Sequence, residues 1–406
     1  MGGRLIVSFL SELNGTHALV FGAGVTGAPT VAFLKKRGAT VYVIDEKISQ
    51  SDVYNSLDEI DLTKVSLAIV SPGWQLDNPL INHARSAGIE LISEIDLAWR
   101  AKQEIAPDQR WIALTGTNGK TTTTELTTRI LQGCGLRTMA SGNIGLPFAN
   151  AVRQSASMDV MVLEVSSFQL ETIQTFRPKV SAWLNLSANH LDRYPGMQEY
   201  RAAKLRLFEN QTAEDFAVIN AVNDLPPLKA QPITFSASTD KADFTLRDNA
   251  IYFRSRRILE QSQTRLPGPH NAENMMAALG IGHALGLEIE ALAASISDYA
   301  PPAHRCEWVR DLDGVRWIND SKATNLDAMA QALRSAAGPV VLIAGAKEKG
   351  FEFDDIAELV QSRARVAVLI GEMRHRIASS WKNTDCHCVN SLEEAVAAAQ
   401  ILARAG

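Results

Sequence analysis

The most informative segment of this chain is the octapeptide Thr115-Gly116-Thr117-Asn118-Gly119-Lys120-Thr121-Thr122. It follows the apolar run 111–114, which predicts a buried strand, and it precedes residues 123–131, which predict a helix. A glycine turn between a strand and a helix presents backbone N–H groups and the positive end of the helix dipole to an anion. The lysine adds positive charge and the threonine hydroxyl can reach Mg²⁺, so the segment predicts a phosphate-binding loop.

The spacing of this loop differs from the common G-x-x-x-x-G-K-[ST] pattern. The residue five positions before Gly119 is Leu114, so the loop is shorter. The alternative interpretation is a glycine turn that lies beside a lysine by chance. The strand before the turn and the helix after it favour the phosphate loop.

The composition is that of an ordinary globular protein. The 406 residues are enough for about two or three domains, and 46% of them are apolar and 21% charged. The net charge of −5 argues against non-specific binding to nucleic acid. No apolar run reaches membrane-spanning length, and the N-terminus lacks a signal-peptide pattern. We therefore expect a protein that binds neither nucleic acid nor membrane. We also expect it to be a cytoplasmic monomer, although the composition does not determine the oligomeric state.

The four cysteines are Cys134, Cys306, Cys386 and Cys388, and they do not form paired C-x-x-C motifs. Cys386-His387-Cys388 could suggest a metal site, but adjacent side chains on a strand point to opposite faces. Free thiols in a reducing cytoplasm are the favoured interpretation.

A second glycine motif lies near the N-terminus. The apolar run 17–21 is followed by Gly22-Ala23-Gly24-Val25-Thr26-Gly27, a predicted helix, and a strand at 40–44 that ends at Asp45. This is a βαβ unit with G-x-G-x-x-G and an acid about 20 residues further on. Many Rossmann-like domains use this turn for other phosphates, and Lys47 beside Asp45 does not select a nicotinamide cofactor.

Polar residues follow other predicted strands, at the edge where open parallel sheets bind ligands. Ser71-Pro72-Gly73 comes after the apolar run 67–70, and Glu164 comes directly after the run 160–163. A lone Glu164 would be a solvated carboxylate, but an acid directly after a buried strand and beside a phosphate loop favours a Mg²⁺–nucleotide site. For His190 alone, structural and functional interpretations both stay open.

The last part of the chain again alternates strands and helices. Apolar strands are predicted at 315–318, 339–344 and 366–370, which is typical of a parallel α/β sheet. The first of these strands leads into Asn319-Asp320-Ser321-Lys322.

We predict an α/β protein with three domains. Residues 1–106 would form a Rossmann-like domain, and residues 107–302 a central P-loop-type ATPase domain with a mostly parallel sheet. Residues 303–406 would form a second Rossmann-like α/β domain.

Several segments between Phe21 and the end of the chain match one family. They are the phosphate loop, Gly142-Asn143-Ile144-Gly145, Glu164-Val165-Ser166-Ser167-Phe168-Gln169-Leu170-Glu171, His190-Leu191-Asp192-Arg193-Tyr194, Tyr200-Arg201-Ala202-Ala203-Lys204 and Asn319-Asp320-Ser321-Lys322-Ala323-Thr324-Asn325. The chain resembles the Mur ligases. The phosphate loop resembles that of the whole family, whereas the other segments are similar to the members that add D-glutamate, rather than to those that add alanine or a diamino acid.

The resemblance implies an ATP-dependent amide ligase of peptidoglycan precursor synthesis. ATP would phosphorylate the carboxylate of UDP-N-acetylmuramoyl-L-alanine. The amine of D-glutamate would then attack the acyl phosphate to give the amide, ADP and phosphate. Phosphorylation supplies the good leaving group that a free carboxylate lacks, and clamping of the charge lowers the barrier.

The resemblance also implies two Mg²⁺ ions. Lys120 would contact the β- and γ-phosphates, while Thr121 and Glu164 would bind one ion. His190 and Lys204 would form the second site. In the family this lysine is carbamylated, which replaces a repelling ammonium with an oxygen ligand of the kind that Mg²⁺ prefers. Without the resemblance, Lys204 would be interpreted as a solvated residue of a basic helix.

The remaining site residues follow from the same resemblance. Besides Lys120 and Thr121, those expected at the nucleotide are Gly116, Thr117, Asn118, Gly119, Thr122, Asn271, Arg305, Asp320 and Lys322. Arg305 and Lys322 are also expected to take part in catalysis. Those expected to bind the UDP-sugar or its surroundings are Gly24, Asp45, Lys47, Ser71, Gly73, Asn143, Ser166 and His190. Thr324 and Lys349 would contact D-glutamate, for which a cation is a suitable partner.

Two features depart from the family pattern. Cys306 stands where the family usually has Phe, and we expect only a packing difference. The family continues beyond the amphipathic helix 391–405 and its C-cap Gly406 with a strand and an S-P-A-type segment. We therefore expect an incomplete third domain and a weakened D-glutamate pocket. An alternative is that the chain is a relative of these ligases that binds ATP and UDP-sugar but has little ligase turnover. A second alternative, an oxidoreductase, would rest on the G-x-G-x-x-G motif alone.

Overall fold

The computed structural model describes residues 8–48, 50–143, 148–154, 156–191, 193–297, 299, 304, 306–336, 338–348 and 351–404. The chain divides into two compact units. The first consists of Met1–Leu186, Gln198–Glu260 and Glu273–Ser297, and the second of Ser187–Met197, Gln261–Ala272 and Asp298–Gly406. Within the described ranges, no helix has both the length and the apolar character needed to cross a bilayer.

The N-terminal part folds around a five-stranded sheet. Its elements are α1 (Phe9–Glu12), β1 (His17–Phe21), α2 (Gly27–Lys36), β2 (Thr40–Ile44), β3 (Val53–Tyr54), β4 (Val65–Val70), α3 (Pro79–Ser86), β5 (Glu90–Ser93) and α4 (Glu94–Ile105). The strands pair in parallel in the order β3-β2-β1-β4-β5. In β1, Ala18 and Val20 belong to one hydrophobic cluster and Leu19 and Phe21 to another. The strand is therefore buried on both faces, as is usual in a parallel sheet.

The strand order of this sheet reverses beside β1, because β2 and β3 lie on one side of it and β4 and β5 on the other. Phe21 at the end of β1 pairs with Val70 at the end of β4. The glycine loop that follows β1 and the turn 71–73 therefore lie next to each other. Open α/β sheets bind their ligands at such a point.

The central part contains a nine-stranded sheet. Its elements are β6 (Arg110–Thr115), α5 (Lys120–Gly133), β7 (Thr138–Gly142), α6 (Phe148–Gln154), β8 (Val160–Glu164), α7 (Ser167–Leu170), β9 (Val180–Trp183), α8 (Met197–Leu205), β10 (Phe216–Asn220), β11 (Gln231–Ser236), β12 (Phe244–Arg247), β13 (Ala250–Phe253), β14 (Arg256–Glu260), α9 (Pro269–Ala284) and α10 (Ile289–Ala294). The order is β14-β13-β12-β11-β10-β9-β6-β8-β7. Only β12, β13 and β14 pair antiparallel, so the predicted mostly parallel sheet is confirmed.

A buried carboxylate joins α4 to the loop before β9. Asp96 Oδ1 accepts hydrogen bonds from the backbone N–H groups of Gln174 at 3.1 Å, Thr175 at 2.7 Å and Phe176 at 2.7 Å. Its Oδ2 accepts from Arg100 Nε at 3.1 Å, and the Asp96 side chain is 0% exposed. The carboxylate therefore satisfies several donors that burial would otherwise leave without a partner.

We expect Asp96→Ala to lower the free energy of unfolding by about 3–5 kcal/mol, because it removes the acceptor of buried donors and the partner of Arg100. Urea denaturation measures this change. The control is Asp240→Ala, which removes an exposed carboxylate paired with Arg247 at 2.9 Å and should matter far less. Equal losses in the two variants would contradict the role given to Asp96.

The C-terminal part contains two small sheets. Its elements are β15 (Glu307–Leu312), β16 (Val315–Asn319), α11 (Leu326–Ser335), β17 (Val340–Gly345), α12 (Ala357–Arg363), β18 (Ala364–Ile370), α13 (Arg374–Ser380), β19 (Cys386–Cys388) and α14 (Leu392–Leu402). The strands β17, β18 and β19 form the predicted parallel sheet.

The prediction that 315–318 belongs to the parallel sheet is wrong. That segment lies in β16, which pairs antiparallel with β15 in a separate two-stranded sheet. The two strands are joined by Asp313 and Gly314, which have φ of 51° and 77°. An Asp-Gly pair with positive φ at both positions is the turn that closes a tight hairpin, and this signal outweighs the strand–helix alternation.

The predicted helix 391–405 is confirmed over a shorter range, Leu392–Leu402. Ser391 is its N-cap, with the hydroxyl oxygen accepting from Glu394 N at 3.1 Å. Ala403 is already extended, with φ of −74° and ψ of 144°. Gly406, the predicted C-cap, lies outside the described residues.

Candidate active site

The phosphate loop has the predicted strand–turn–helix geometry. Strand β6 ends at Thr115 and helix α5 begins at Lys120. Between them Gly119 has a φ of 78°, and a Cβ at this position would lie 2.3 Å from Asn274 Oδ1. Glycine is therefore required for both the backbone conformation and the close contact. The N–H groups of the first helical turn cannot bond within the helix and point toward the carboxyl edge of the sheet.

Asn185 holds the loop in shape from the neighbouring strand. Its Oδ1 accepts hydrogen bonds from Thr117 N at 3.1 Å and Asn118 N at 2.8 Å, and its Nδ2 donates to Asn118 O at 3.1 Å. Asn185 follows β9, which lies beside β6. We did not include it among the predicted site residues. Its position directly beyond an adjacent parallel strand was the signal that could have identified it.

We expect Asn185→Ala to raise the KM for ATP by about tenfold or more, because both the donor and the acceptor that shape the loop are lost. Steady-state phosphate release over a series of ATP concentrations measures it. The matched control is Asn210→Ala, because Asn210 Nδ2 also holds a loop, donating to Gln174 O at 3.0 Å and Phe176 O at 3.2 Å. An unchanged KM for ATP in Asn185→Ala would show that the loop keeps its shape without Asn185.

Lys120 lies across the loop that it follows. Its Nζ donates to Gly116 O at 2.8 Å and to Thr117 O at 3.0 Å. The ammonium therefore lies over the turn that would cradle the phosphates. A bound phosphate oxygen would compete with these carbonyls for the same donor.

Glu164 lies beside the loop, as predicted. Its Oε2 accepts from Thr121 Oγ1 at 2.8 Å and its Oε1 from Asn143 Nδ2 at 2.9 Å. The residue is only 2% exposed, so the alternative of a solvated carboxylate is wrong. Gly142 permits this arrangement, because a Cβ there would lie 2.2 Å from Glu164 O. Parallel pairing of β6, β7 and β8 brings these residues to one edge.

Lys204 is buried, in contrast to the solvated residue that sequence alone would suggest. The residue is 1% exposed. Its Nζ donates to Gly116 O at 2.9 Å and lies 4.7 Å from the centroid of the Tyr200 ring. Burial and the positive charge of Lys120 hold the pKa of the Lys204 amine well below its ordinary value, although Glu164 opposes the shift. This shift favours the neutral form of the amine, which is the form that can react as a nucleophile.

The glycine motif near the N-terminus, residues 22–27, forms a tight loop that contacts Asp45. A Cβ on Gly27 would lie 1.8 Å from Gly22 O, so the helix start requires glycine there. Asp45 Oδ2 accepts from Ala23 N at 3.0 Å, and its Oδ1 accepts from Lys47 N at 2.9 Å. Partial burial alone would raise the pKa of Asp45, but hydrogen bonds from backbone N–H groups outweigh it and lower that pKa. The carboxylate stays ionised and supports the loop.

The other residues predicted on the UDP-sugar side differ in their surroundings. Ser71 lies next to Gly22, whose Cβ would be 2.8 Å from the Ser71 oxygen. A Cβ at Gly24 or Gly73 would meet no atom within 4 Å. Ser166 is the N-cap of α7, with its hydroxyl oxygen accepting from Gln169 N at 3.3 Å.

Five of the predicted residues that the structure describes belong to the second unit. They are His190, Asn271, Asp320, Lys322 and Thr324. His190 has a left-handed φ of 57°, and Asn271 Nδ2 donates to Pro267 O at 2.9 Å. Asp320 Oδ1 accepts from Cys306 N at 2.9 Å, where Cys306 is exposed. Arg305 and Lys349 lie outside the described residues.

Family models match three segments of the chain. Residues 16–93 match the model described as "Mur ligase MurD-like, N-terminal domain", residues 114–282 match "Mur ligase middle domain", and residues 304–406 match "Mur ligase, glutamate ligase domain".

The similarity to known proteins covers nearly the whole chain. It is 37% identical over 426 residues to the UDP-N-acetylmuramoylalanine–D-glutamate ligase of Alkaliphilus metalliredigens, covering 97% of this chain and 92% of the relative. It is 40% identical over 409 residues to the ligase of the same name from Trichlorobacter lovleyi, covering 95% and 90%. A solved UDP-N-acetylmuramate-alanine ligase MurC from Thermotoga maritima matches with a TM-score of 0.60 at 19% identity, covering 93% and 91%. At that identity, the match shows a shared fold.

Proposed function

Since the chain belongs to the Mur ligase family, we propose that it is an ATP-dependent ligase that joins D-glutamate to UDP-N-acetylmuramoyl-L-alanine in peptidoglycan precursor synthesis. The observation that carries this proposal is the convergence of three groups at one sheet edge. They are the phosphate loop with Lys120, the hydrogen-bonded pair Thr121–Glu164, and the buried amine of Lys204. The names of the relatives support the choice of amino acid.

The proposed reaction makes an amide from a carboxylate. Bound ATP would supply the phosphoryl group that converts the substrate carboxylate into an acyl phosphate, and bound Mg²⁺ would neutralise charge on that group. The amine of D-glutamate then forms the C–N bond and loses a proton, while the C–O bond to phosphate breaks. The loop N–H groups and Lys120 hold the negative oxygens in place while charge is redistributed.

The residues present suit Mg²⁺. Thr121 and Glu164 offer a hydroxyl and a carboxylate oxygen, which are hard ligands of the kind this ion prefers. We assign them one ion, and His190 and Lys204 the second. A neutral Lys204 can attack CO₂ to form an N–C bond, and loss of a proton leaves a carbamate. The low pKa of the amine supports this modification.

We carry the remaining roles over as proposals. Nucleotide contacts are assigned to Gly116, Thr117, Asn118, Gly119, Lys120, Thr122, Asn271, Arg305, Asp320 and Lys322. UDP-sugar contacts are assigned to Gly24, Asp45, Lys47, Ser71, Gly73, Asn143, Ser166 and His190, and D-glutamate contacts to Thr324 and Lys349. Since Asp45 Oδ2 accepts from Ala23 N in the glycine loop, Asp45 would also shape that loop.

We also propose domain boundaries at 1–106, 107–302 and 303–406, because the four sheets lie within them. The protein would act as a monomer in the cytoplasm, where ATP and the nucleotide sugar are available.

A phosphate-release assay tests the proposal. The purified chain is incubated with ATP, Mg²⁺ and UDP-N-acetylmuramoyl-L-alanine, with D-glutamate present, absent or replaced by L-glutamate. We expect phosphate release and a product heavier by one glutamyl residue only with D-glutamate. Turnover with another amino acid but not with D-glutamate would reject D-glutamate as the substrate.

A titration of the chain with NAD and with the UDP-sugar tests the first domain. Tight NAD binding without a response to the UDP-sugar would reject the proposal that this domain binds a UDP-sugar.

A further inference from the structure

Glu94 is a buried acid for which the family resemblance suggests no role. It is the first residue of α4, directly after β5, and it is 3% exposed. Its Oε1 accepts from Ala149 N at 3.2 Å, at the start of α6, and the N–H of Phe148 also stabilises the ionised form. Its Oε2 is buried and has no hydrogen-bond partner among the described residues.

This arrangement is unfavourable for stability alone. Burial raises the pKa of the Glu94 carboxyl to about 7, although the N–H groups of Ala149 and Phe148 oppose the shift. A buried carboxylate with one oxygen unpaired costs free energy that a neutral side chain would not. Residues that break a local rule in this way are often found at functional sites.

The N-terminus of α6, which Glu94 contacts, packs against residues of the proposed active site. Phe148 is 1% exposed, and its ring packs against Gly142, where an added Cβ would lie 3.0 Å from the ring. The next residue, Asn143, donates its N–H to Glu164 O and its Nδ2 to Glu164 Oε1, both at 2.9 Å. A chain of contacts therefore runs from Glu94 through Phe148 and Gly142 to Asn143.

We infer that Glu94 is a positioning residue that fixes the start of α6 and, through the packing of Phe148 on Gly142, holds Asn143 in place beside Glu164 for the nucleotide-sugar substrate. This inference rests on the proposed function, in which Asn143 lies on the side of the UDP-sugar. The phosphate loop is also held by Asn185, so ATP binding should depend less on Glu94 than binding of the nucleotide sugar does.

The test compares Glu94→Gln with a closely matched control, Glu104→Gln. Glu104 is on the same helix and also accepts from an N–H at a helix start, that of Leu10 at 3.1 Å, but it is exposed. In Glu94→Gln the KM for UDP-N-acetylmuramoyl-L-alanine should rise about tenfold or more, as expected for the loss of a charge-assisted hydrogen bond, with a much smaller rise in the KM for ATP. Glu104→Gln should match the wild type.

Wild-type kinetic constants in Glu94→Gln, or an equal rise in both KM values, would overturn the inference. If Glu94→Gln does not fold, Glu94→Asp is measured in its place, because it keeps the charge and shortens the reach by one methylene. A wild-type KM in that variant also overturns the inference.

Hydrogen exchange separates this inference from the proposed function. If the wild-type chain forms no amide product, the proposed function fails, and exchange alone then decides the role of Glu94. Faster exchange of the Asn143 and Ala149 amides in Glu94→Gln, but not in Glu104→Gln, would support it. Unchanged exchange at both amides would overturn it.

Discussion

Replacing Lys120 with alanine is expected to reduce ATP-dependent phosphate release by about 100-fold or more without unfolding the chain. Lys120 is the cation of the phosphate loop, and its Nζ lies 2.8 Å from Gly116 O and 3.0 Å from Thr117 O. These carbonyl contacts are replaceable, whereas no other lysine or arginine occurs between residues 111 and 128. Lys204 also contacts Gly116 O, but its lowered pKa disfavours the charge that could replace that of Lys120. The loss should therefore appear in turnover and not in stability.

The measurement is steady-state phosphate release, with a thermal unfolding curve for each variant. Arg129→Ala is the matched control, because Arg129 is an exposed cation on the same helix, α5. It should keep wild-type turnover. If Lys120→Ala is folded and turns over normally, the phosphate loop has been assigned wrongly.

Replacing Lys204 with alanine is expected to abolish turnover, and added acetate should restore part of it. The proposed carbamate places an anionic oxygen where the unmodified side chain carries an amine. A short carboxylic acid can place an oxygen in the space that the truncated side chain leaves. Removal of a group that organises the reacting phosphates should reduce the rate by about 100-fold or more.

Two further variants separate chemistry from packing at this position. Lys204→Met conserves most of the buried volume, so it should fold and be inactive, and acetate should not rescue it. Glu199→Ala, an exposed position on the same helix, should keep full activity. Full activity of Lys204→Ala without any additive would exclude the proposed role. A carbonyl signal from ¹³CO₂ in the wild type that is absent from Lys204→Met would report the modification directly.

The geometry of the two glycine turns could be predicted from the sequence, because it depends on neighbouring residues. Gly119 needs a φ of 78° and Gly22 a φ of 106°, and both occur in short motifs between an apolar strand and a helix. The parallel sheets also follow from apolar runs that alternate with helices. The position of Glu164 near the phosphate loop was expected from the strand that precedes it, while its closeness to Thr121 was expected from the family resemblance.

Other parts of the site could not be predicted in this way. A Lys in a basic helix gives no local sign of burial, yet Lys204 is 1% exposed. The pairing of β16 with β15 was missed because the prediction followed the strand–helix pattern and did not consider the Asp313-Gly314 turn. Glu94 and Asp96 occur in an ordinary amphipathic helix, and nothing in its periodicity tells which acids accept hydrogen bonds from another segment.

The sequence by itself therefore determined the phosphate loop, the glycine turn and the class of fold, because each depends on residues that are neighbours in the chain. Only the tertiary structure decided that Asn185 shapes the loop and that Lys204 lies against it. Those contacts join residues 67 and 88 positions apart, as in Asn118–Asn185 and Gly116–Lys204. Their existence depends on the order in which the strands pair, and the low pKa of Lys204 depends on the burial and nearby charges that this packing creates.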